Sequence, residues 1–200
     1  MKDISNLRRP SRIDAILRST RDAGFSMASE PLACSILRTL AASKLGGRLL
    51  EIGSGTGLST AWLLDGMDDS STLLTVDNDP HVLSILNNHL GHDSRLTVAC
   101  RDGDDFLRSL SGKSFDLVFA DTWSGKYQML DEALNLVAPG GIYVVDDMLP
   151  QSNWPDGHAV KVEALIANLE SRTGFHVTKL SWASGIIIAT KTAGRMRWIV

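Results

Sequence analysis

The sequence has few cysteines, no long hydrophobic run and no large excess of either charge. Its two cysteines, Cys34 and Cys100, are too few for a disulfide framework, so we expect both to be reduced thiols in the core. Apolar runs are far shorter than the roughly 18 residues that a membrane span needs, and the charged N-terminus lacks a signal-peptide core. These absences predict a cytoplasmic protein without a membrane partner.

The charge balance limits the partners further. Lys and Arg number 20 against 23 Asp and Glu, so the net charge of -3 offers no general footprint for nucleic acid. The composition, 44% hydrophobic, is that of an ordinary globular chain. We expect an N-terminal helical arm over residues 1–28 and one domain over residues 29–200. Ile13, Ile16 and Leu17 in the arm lie at helical spacing and could pack on their own subunit or form a homodimer interface.

Strand-like and helical patterns alternate along the domain. The strand-like runs are almost continuously apolar, which is typical of parallel strands covered on both faces, and they span residues 48–52, 72–76, 95–99, 115–120 and 141–145. Helical stretches begin near Pro31, Gly57, Pro80, Asp104, Gly125 and Gly157. The last two runs, 175–182 and 185–190, are too close for a parallel crossover. The pattern predicts an α/β fold, doubly wound, with a mainly parallel seven-stranded sheet, a C-terminal antiparallel hairpin and helices on both faces.

The clearest motif joins the first strand to the helix that follows it. The apolar run ends in Gly53-Ser54-Gly55-Thr56-Gly57, and a helical pattern starts directly afterwards. Glycines at the carboxyl end of a strand permit positive φ and let another molecule approach the backbone closely. The G-x-G-x-G spacing differs from the G-x-G-x-x-G of dinucleotide-binding proteins, which disfavours NAD. A tight turn without a ligand remains the alternative.

This stretch, with Glu51 ahead of the first glycine, resembles motif I of the class I S-adenosylmethionine (SAM) dependent methyltransferases. The resemblance implies a Rossmann-like methyltransferase domain over residues 29–200 with SAM as cofactor. Ligands of open parallel sheets lie outside the carboxyl ends of the strands, where Asp77 could accept hydrogen bonds from ribose and Asp102 from adenine. Either acid could instead cap a helix. The expected SAM-binding residues are Glu51, Gly53, Ser54, Gly55, Gly57, Asp77, Asn78, Asp102, Gly103 and Asp121.

Acidic residues also follow the fourth and fifth strands. If these strands are neighbours, Asp121, Asp146 and Asp147 meet beside the cofactor, and hard cations prefer such oxygens. The layout is similar to the metal-dependent catechol and caffeoyl-CoA type O-methyltransferases, which use an Asp after the fourth strand and an Asp-Asn pair after the fifth. The resemblance implies Asp121, Asp146 and Asp147 as ligands of a metal, so Mg²⁺ could be a second cofactor. Without a metal, Asp121 could hold the amino group of SAM, Asp146 could cap a turn and Asp147 could face solvent.

The chain departs from that family where the proton of the acceptor would be removed. Ser124 stands where those enzymes usually have a Lys, three residues after the first Asp, and Lys126 lies two positions further on. Lys126 or His158 could act as the base, although His158 could equally be a solvated residue in the first turn of a helix. The candidate catalytic residues are Asp121, Lys126 and His158.

These features together predict an enzyme. We expect a SAM-dependent methyltransferase that transfers a methyl group to a small-molecule acceptor, at a hydroxyl oxygen. One alternative is a methyltransferase that acts on RNA or protein, although the chain offers no dedicated module for binding either. A SAM-binding or nucleotide-binding protein without catalytic chemistry is a second, and an NAD oxidoreductase is a weaker third.

Overall fold

Helices and strands alternate along the chain of the computed structural model, which describes residues 3, 7–152 and 154–193. The helices are α1 (Ile13–Asp22), α2 (Pro31–Ala42), α3 (Leu58–Gly66), α4 (Pro80–Leu90), α5 (Gly103–Ser109), α6 (Leu130–Asn135) and α7 (His158–Glu170). The strands are β1 (Arg48–Ile52), β2 (Thr72–Asp77), β3 (Leu96–Cys100), β4 (Phe115–Ala120), β5 (Val137–Val145), β6 (Phe175–Leu180) and β7 (Ile186–Lys191).

The seven strands form one sheet in the order β3-β2-β1-β4-β5-β7-β6. Strands β1 to β5 pair in parallel, while β7 runs antiparallel to both β5 and β6. The chain builds outward from β1 to β3 and then returns to β4, so the strand order reverses between β1 and β4. The carboxyl ends of these two strands therefore open the crevice in which such sheets bind ligands. The predicted doubly wound, Rossmann-like fold with its terminal hairpin is confirmed.

The strands are apolar on both sides because helices cover both faces of the sheet. Leu49 points into the core shared with α1, α2, α3 and α4, whereas its neighbour Leu50 points into the core shared with α5, α6 and α7. Helix α1 belongs to the first core, in which Ile13 and Ile16 are fully buried against their own chain. Of the two roles considered for these isoleucines, packing within the subunit is therefore the one that they fill.

Two local predictions differ from the structure. The helix expected near Gly125 begins at Leu130, because the chain first makes a tight turn in which Gly125 has a φ of +82°. Strand β5 begins at Val137, four residues earlier than the apolar pattern indicated, because residues 137–140 continue its backbone without matching that pattern. Neither difference changes the topology, but the turn at Gly125 decides how the site is built.

The predictions made from composition also have a mixed outcome. Cys34 is a buried free thiol, and burial raises its pKa well above the ordinary value. Cys100 is exposed at the end of β3, so its placement in the core was wrong. Within residues 7–152 and 154–193, none of the helices combines the length and the apolar character that crossing a bilayer requires.

Candidate functional site

A cavity of about 240 Å³ lies over the glycine turn at the end of β1. We call it the turn cavity. Gly53, Ser54 and Gly55 form its floor, and Asp77 and Asn78 form one side. The Asp77 carboxylate accepts hydrogen bonds from the Gly55 N–H at 2.9 Å and from the Asp79 N–H at 3.0 Å. Asp77 therefore fixes the turn from the neighbouring strand.

A second cavity, of about 200 Å³, continues from the turn cavity toward β3, and we call it the adjacent cavity. Asp77 and Asn78 line both, and Asp102 and Gly103 line the second alone. The Asp102 carboxylate accepts from two N–H groups at the start of α5, each at 3.0 Å. Asp102 therefore caps that helix, which was the alternative to a contact with adenine. Since Asp102 also lines the cavity, the cap and a contact to a ligand are compatible.

Two of the expected SAM-binding residues do not reach either cavity. Glu51 is fully buried beneath the turn, where one oxygen accepts from the hydroxyls of Thr60 at 2.6 Å and Thr75 at 2.7 Å, and burial raises its pKa. Gly57 faces α4, and a Cβ there would lie 2.9 Å from Leu86 Cγ. Both predictions of direct cofactor contact are corrected: these residues shape the turn from behind, because the sheet interior and α4 occupy the space they face.

A third cavity, of about 350 Å³, lies on the other side of β4, and we call it the aromatic cavity. Its rings come from Trp123, Tyr127, Trp154 and His158, whose neighbouring ring centroids lie 4.7 to 6.3 Å apart. The polar groups that line it include Ser29, Asp121, Lys126, Asp147 and Ser184. This cavity is suited to a small, partly aromatic molecule that also carries a polar group.

His158 is the first residue of α7 and lies against the aromatic cavity. Its Nε2 is 3.2 Å from the Tyr127 hydroxyl, while its buried Nδ1 has no hydrogen-bond partner in the described part of the chain. Burial, followed by the charge of Lys126, lowers the pKa of His158 below its ordinary value. The solvated alternative for His158 is therefore wrong, and at neutral pH the ring is a neutral group able to accept a proton.

Asp121 and Lys126 form an ion pair inside the aromatic cavity. The Lys126 Nζ lies 3.7 Å from Asp121 Oδ1, and Ser29 donates a hydrogen bond to Asp121 Oδ2 at 2.8 Å. Lys126 is only 4% exposed, which is unusual for a lysine and requires a nearby negative charge. Burial raises the pKa of Asp121 and Lys126 opposes that rise, so the ammonium favours the charged form of this carboxyl.

The three carboxylates predicted to bind a metal do not assemble into a metal site. Asp146 is buried, and its Oδ1 accepts from the Ser184 hydroxyl and from the Asp147 N–H. Among the residues that the structure describes, no three or more His, Cys, Asp or Glu side chains are grouped so that they could hold a metal ion. The physical reason is that groups of the chain itself already bind these oxygens: Lys126 and Ser29 contact Asp121, and Ser184 donates to Asp146.

Three contributors to the site were not recognised in the sequence. Ser29, two residues before α2, donates to Asp121, and Ser184, in the connection between β6 and β7, donates to Asp146. Phe25 covers the glycine turn, since a Cβ on Gly55 would lie 3.1 Å from its ring. No sequence signal marks Ser184 or Phe25, because tertiary packing alone brings them to the site.

Known proteins match this chain in both sequence and fold. A family profile described as a methyltransferase domain matches residues 50–148. A Mycolicibacterium smegmatis protein provisionally named O-methyltransferase is 30% identical over 140 residues, which cover 66% of this chain and 67% of that protein. The chain therefore belongs to the methyltransferase family.

Other matches define how far the similarity extends. A Mycobacterium avium protein, also provisionally named O-methyltransferase, is 30% identical over 140 residues that cover 66% of this chain. This chain spans about 63% of the length of that curated relative. The crystal structure of the Bacillus cereus O-methyltransferase in complex with S-adenosylhomocysteine (SAH) superimposes with a TM-score of 0.82 at 19% identity, covering 94% of each chain. At that identity the superposition establishes the fold.

Proposed function

We propose that this protein transfers the methyl group of SAM to a hydroxyl oxygen of a small-molecule acceptor. The proposal rests chiefly on the junction of the turn cavity with the aromatic cavity, since Ser29, Asp121 and Thr122 line both. A cofactor over the glycine turn would therefore meet an acceptor held among the aromatic rings. Methyl transfer needs this arrangement, because donor and acceptor must be held in line and shielded from water.

The residues of the first two cavities fit SAM. The buried Ser54 Oγ in the turn cavity has no hydrogen-bond partner among the described residues, and the carboxylate of a bound methionine group would supply one. A Cβ on Gly53 would lie 3.0 Å from the Asp121 backbone, so the turn can come this close to β4 only as glycine. Asp77 and Asn78 would hold the ribose, and Asp102 and Gly103 would hold the adenine. When bound, SAM supplies a methyl group that its sulfonium has already activated.

The aromatic cavity supplies what the acceptor requires. Trp123 and Trp154 would orient a flat acceptor between them, and residues 26–29, which lie between α1 and α2, would exclude water from above. The hydroxyl of the acceptor must lose its proton as the new bond forms. We assign the proton to His158 Nε2 by way of Tyr127: the Tyr127 hydroxyl accepts the proton of the acceptor and passes its own to Nε2, 3.2 Å away, because the lowered pKa of His158 leaves the ring neutral.

Two measurements test this function. Calorimetry should detect binding of SAM and SAH, and a labelled methyl group should pass from SAM to members of a panel of phenols and catechols. His158→Ala should retain SAM binding and lose most turnover, about a hundredfold for a general base. Binding of NADH instead of SAM, or labelling of RNA or protein but of no small molecule, would contradict the proposal.

The proposed function includes a small-molecule acceptor as the partner of the enzyme. A small-molecule acceptor is supported by the size of the aromatic cavity, about 350 Å³, and we still expect no nucleic-acid partner. A homodimer also remains a prediction, but its interface would need residues other than Ile13 and Ile16, which are buried in their own chain. Light scattering would measure the mass in solution. The cytoplasmic location stays a prediction of the sequence.

A further inference from the structure

The polar end of the aromatic cavity contains a cation that belongs to the chain itself. Lys126 is 4% exposed, and its Nζ lies 3.7 Å from Asp121, the acid at the end of β4. Asp146 and Asp147 follow β5, which is the parallel neighbour of β4. Burial raises the pKa of both Asp121 and Asp146, and the ammonium of Lys126 opposes that rise at each carboxyl. One ammonium therefore favours the charged form of acids at the ends of two neighbouring strands.

The turn after β4 places Lys126 where it is. The N–H groups of Lys126 and Tyr127 both donate to the Trp123 carbonyl, at 3.2 and 2.9 Å, and Gly125 donates to Gln128 at 2.7 Å. These bonds fold the chain back on itself within a few residues. Lys126 follows Asp121 by five positions and still returns to it. The ion pair is therefore fixed by backbone hydrogen bonds and does not depend on a flexible surface side chain.

Both oxygens of Asp121 and one oxygen of Asp146 are already engaged by groups of the chain itself. One oxygen of Asp121 faces Lys126 and the other accepts from Ser29, while Asp146 accepts from Ser184 and from the Asp147 N–H. A second cation in this space would be repelled by the buried ammonium, and the low exposure of the site weakens screening of that repulsion. The donor set is thus that of an internal ion pair.

We infer that Lys126 takes the position of a divalent metal in this protein, so that the acceptor is bound and methylated without a metal ion. The inference rests on the proposed methyl transfer and deepens it. A metal held by carboxylates can take two adjacent oxygens of its substrate into its coordination shell, whereas an ammonium donates hydrogen bonds and has no coordination shell to complete. An acceptor with one hydroxyl is therefore sufficient, and a vicinal diol is not required.

Electron paramagnetic resonance of Mn²⁺ tests this without knowledge of the natural acceptor. The free Mn²⁺ signal is recorded with wild-type protein, Lys126→Met and Lys113→Met, each with SAH and catechol present to complete any coordination. Lys113 is exposed, precedes β4 at the end opposite Asp121 and does not line the cavity, so its variant controls for the loss of one positive charge. Wild type and Lys113→Met should leave the signal unchanged at micromolar Mn²⁺. Lys126→Met should bind Mn²⁺ about tenfold or more tightly, because the repelling ammonium is gone.

Two results would overturn the inference. The first is stoichiometric Mn²⁺ binding by the wild type that is lost in Asp146→Asn, and the second is a Lys126→Met protein that binds Mn²⁺ no better than wild type. If circular dichroism finds Lys126→Met unfolded, Lys126→Gln is used in its place, because glutamine is uncharged and still offers an N–H donor. SAM binding is measured separately by calorimetry on the wild type. Failure to bind SAM would remove the proposed function and leave the Mn²⁺ result to stand by itself.

Discussion

The turn cavity and the aromatic cavity are built in different ways. The turn cavity is made largely by consecutive backbone at the end of β1 and by the acids that end the neighbouring strand. The aromatic cavity takes side chains from five separate stretches: the segment between α1 and α2, the turn after β4, the loop after β5, the start of α7 and the connection between β6 and β7. The floor of the turn cavity is therefore local in sequence, whereas the aromatic cavity has no such local part and is assembled from distant segments.

This difference determines how strongly a substitution affects each cavity. A residue of the turn cavity is constrained by φ and by close backbone approach, so a small change of side chain has a large effect there. A residue of the aromatic cavity is held by hydrogen bonds between side chains, so its replacement removes one contact at a time. We therefore expect the largest effects of substitution at the glycine turn and smaller ones in the aromatic cavity.

The largest effect is expected at the back of the glycine turn. Gly57→Ala forces an alanine to a φ of +92° and places its Cβ 2.9 Å from Leu86 Cγ. Backbone strain and overpacking together should lower the free energy of unfolding by about 3 kcal/mol, measured by urea denaturation. Gly112→Ala is the matched control, because Gly112 has a φ of +81° and a Cβ there meets nothing within 4 Å. Equal losses in the two variants would mean that contact with α4 does not constrain the turn.

The next effect concerns the cofactor itself. Asp77→Ala removes the acceptor of the Gly55 N–H bond and the group assigned to the ribose. SAM affinity should fall by about 1 to 3 kcal/mol, measured by calorimetry, while the fold stays intact. Asp116→Ala is the control, since Asp116 accepts from the Arg48 N–H at 2.8 Å at the opposite end of the sheet. Unchanged SAM affinity in Asp77→Ala, or an equal loss in Asp116→Ala, would contradict the assignment.

The same contrast explains what the sequence could predict. The fold and the position of Asp77 followed from apolar periodicity and from the rule that ligands lie at the carboxyl ends of parallel strands. Glu51 was misassigned because sequence gives the strand but not which of its faces is sealed, and this side chain points into the interior. Residues at strand ends are predictable only where the local backbone alone decides their direction.

The acceptor side was predictable only in part. Lys126 and His158 were named as candidates, but a helix was expected near Gly125, and only the observed turn returns Lys126 to Asp121. The predicted metal site required three acids whose oxygens had no other partners. In the structure, Ser29 and Ser184, from distant segments of the chain, donate hydrogen bonds to two of these acids. Hydrogen bonds between residues so far apart in the chain leave no periodic pattern, so a single sequence cannot reveal them.

A smaller effect is expected from one such contact on the acceptor side. Ser29→Ala removes the hydroxyl that donates to Asp121 Oδ2 at 2.8 Å. Losing one bond to a largely buried carboxylate should lower the free energy of unfolding by about 1 kcal/mol in urea denaturation. Ser35→Ala is the control, because Ser35 donates only to the Leu32 carbonyl within α2. An equal change in both variants would mean that Ser29 contributes to the helix and not to the site.

The smallest effect lies at the opposite end of the sheet from both cavities, in the connection between α3 and β2. The Asp68 carboxylate accepts from the Gly46 N–H and from the N–H and hydroxyl groups of Ser70 and Ser71, all at 2.8 to 3.0 Å. These bonds, the Gly46 N–H first, lower the pKa of Asp68 from 3.8 to about 2. A depressed carboxyl pKa stabilises the fold above the unfolded value, and that stability is lost as the pH falls through the folded value.

Asp68→Asn should therefore melt below wild type at neutral pH, and the gap in Tm should close as the pH falls from 3.8 to about 2. Differential scanning calorimetry across that range measures the gap directly. Calorimetric SAM affinity at neutral pH should be the same in both proteins, because Asp68 lines neither the turn cavity nor the adjacent cavity. A gap that stays constant with pH would mean that the carboxylate charge contributes nothing. A change in SAM affinity would mean that the connection between α3 and β2 is energetically coupled to the turn cavity.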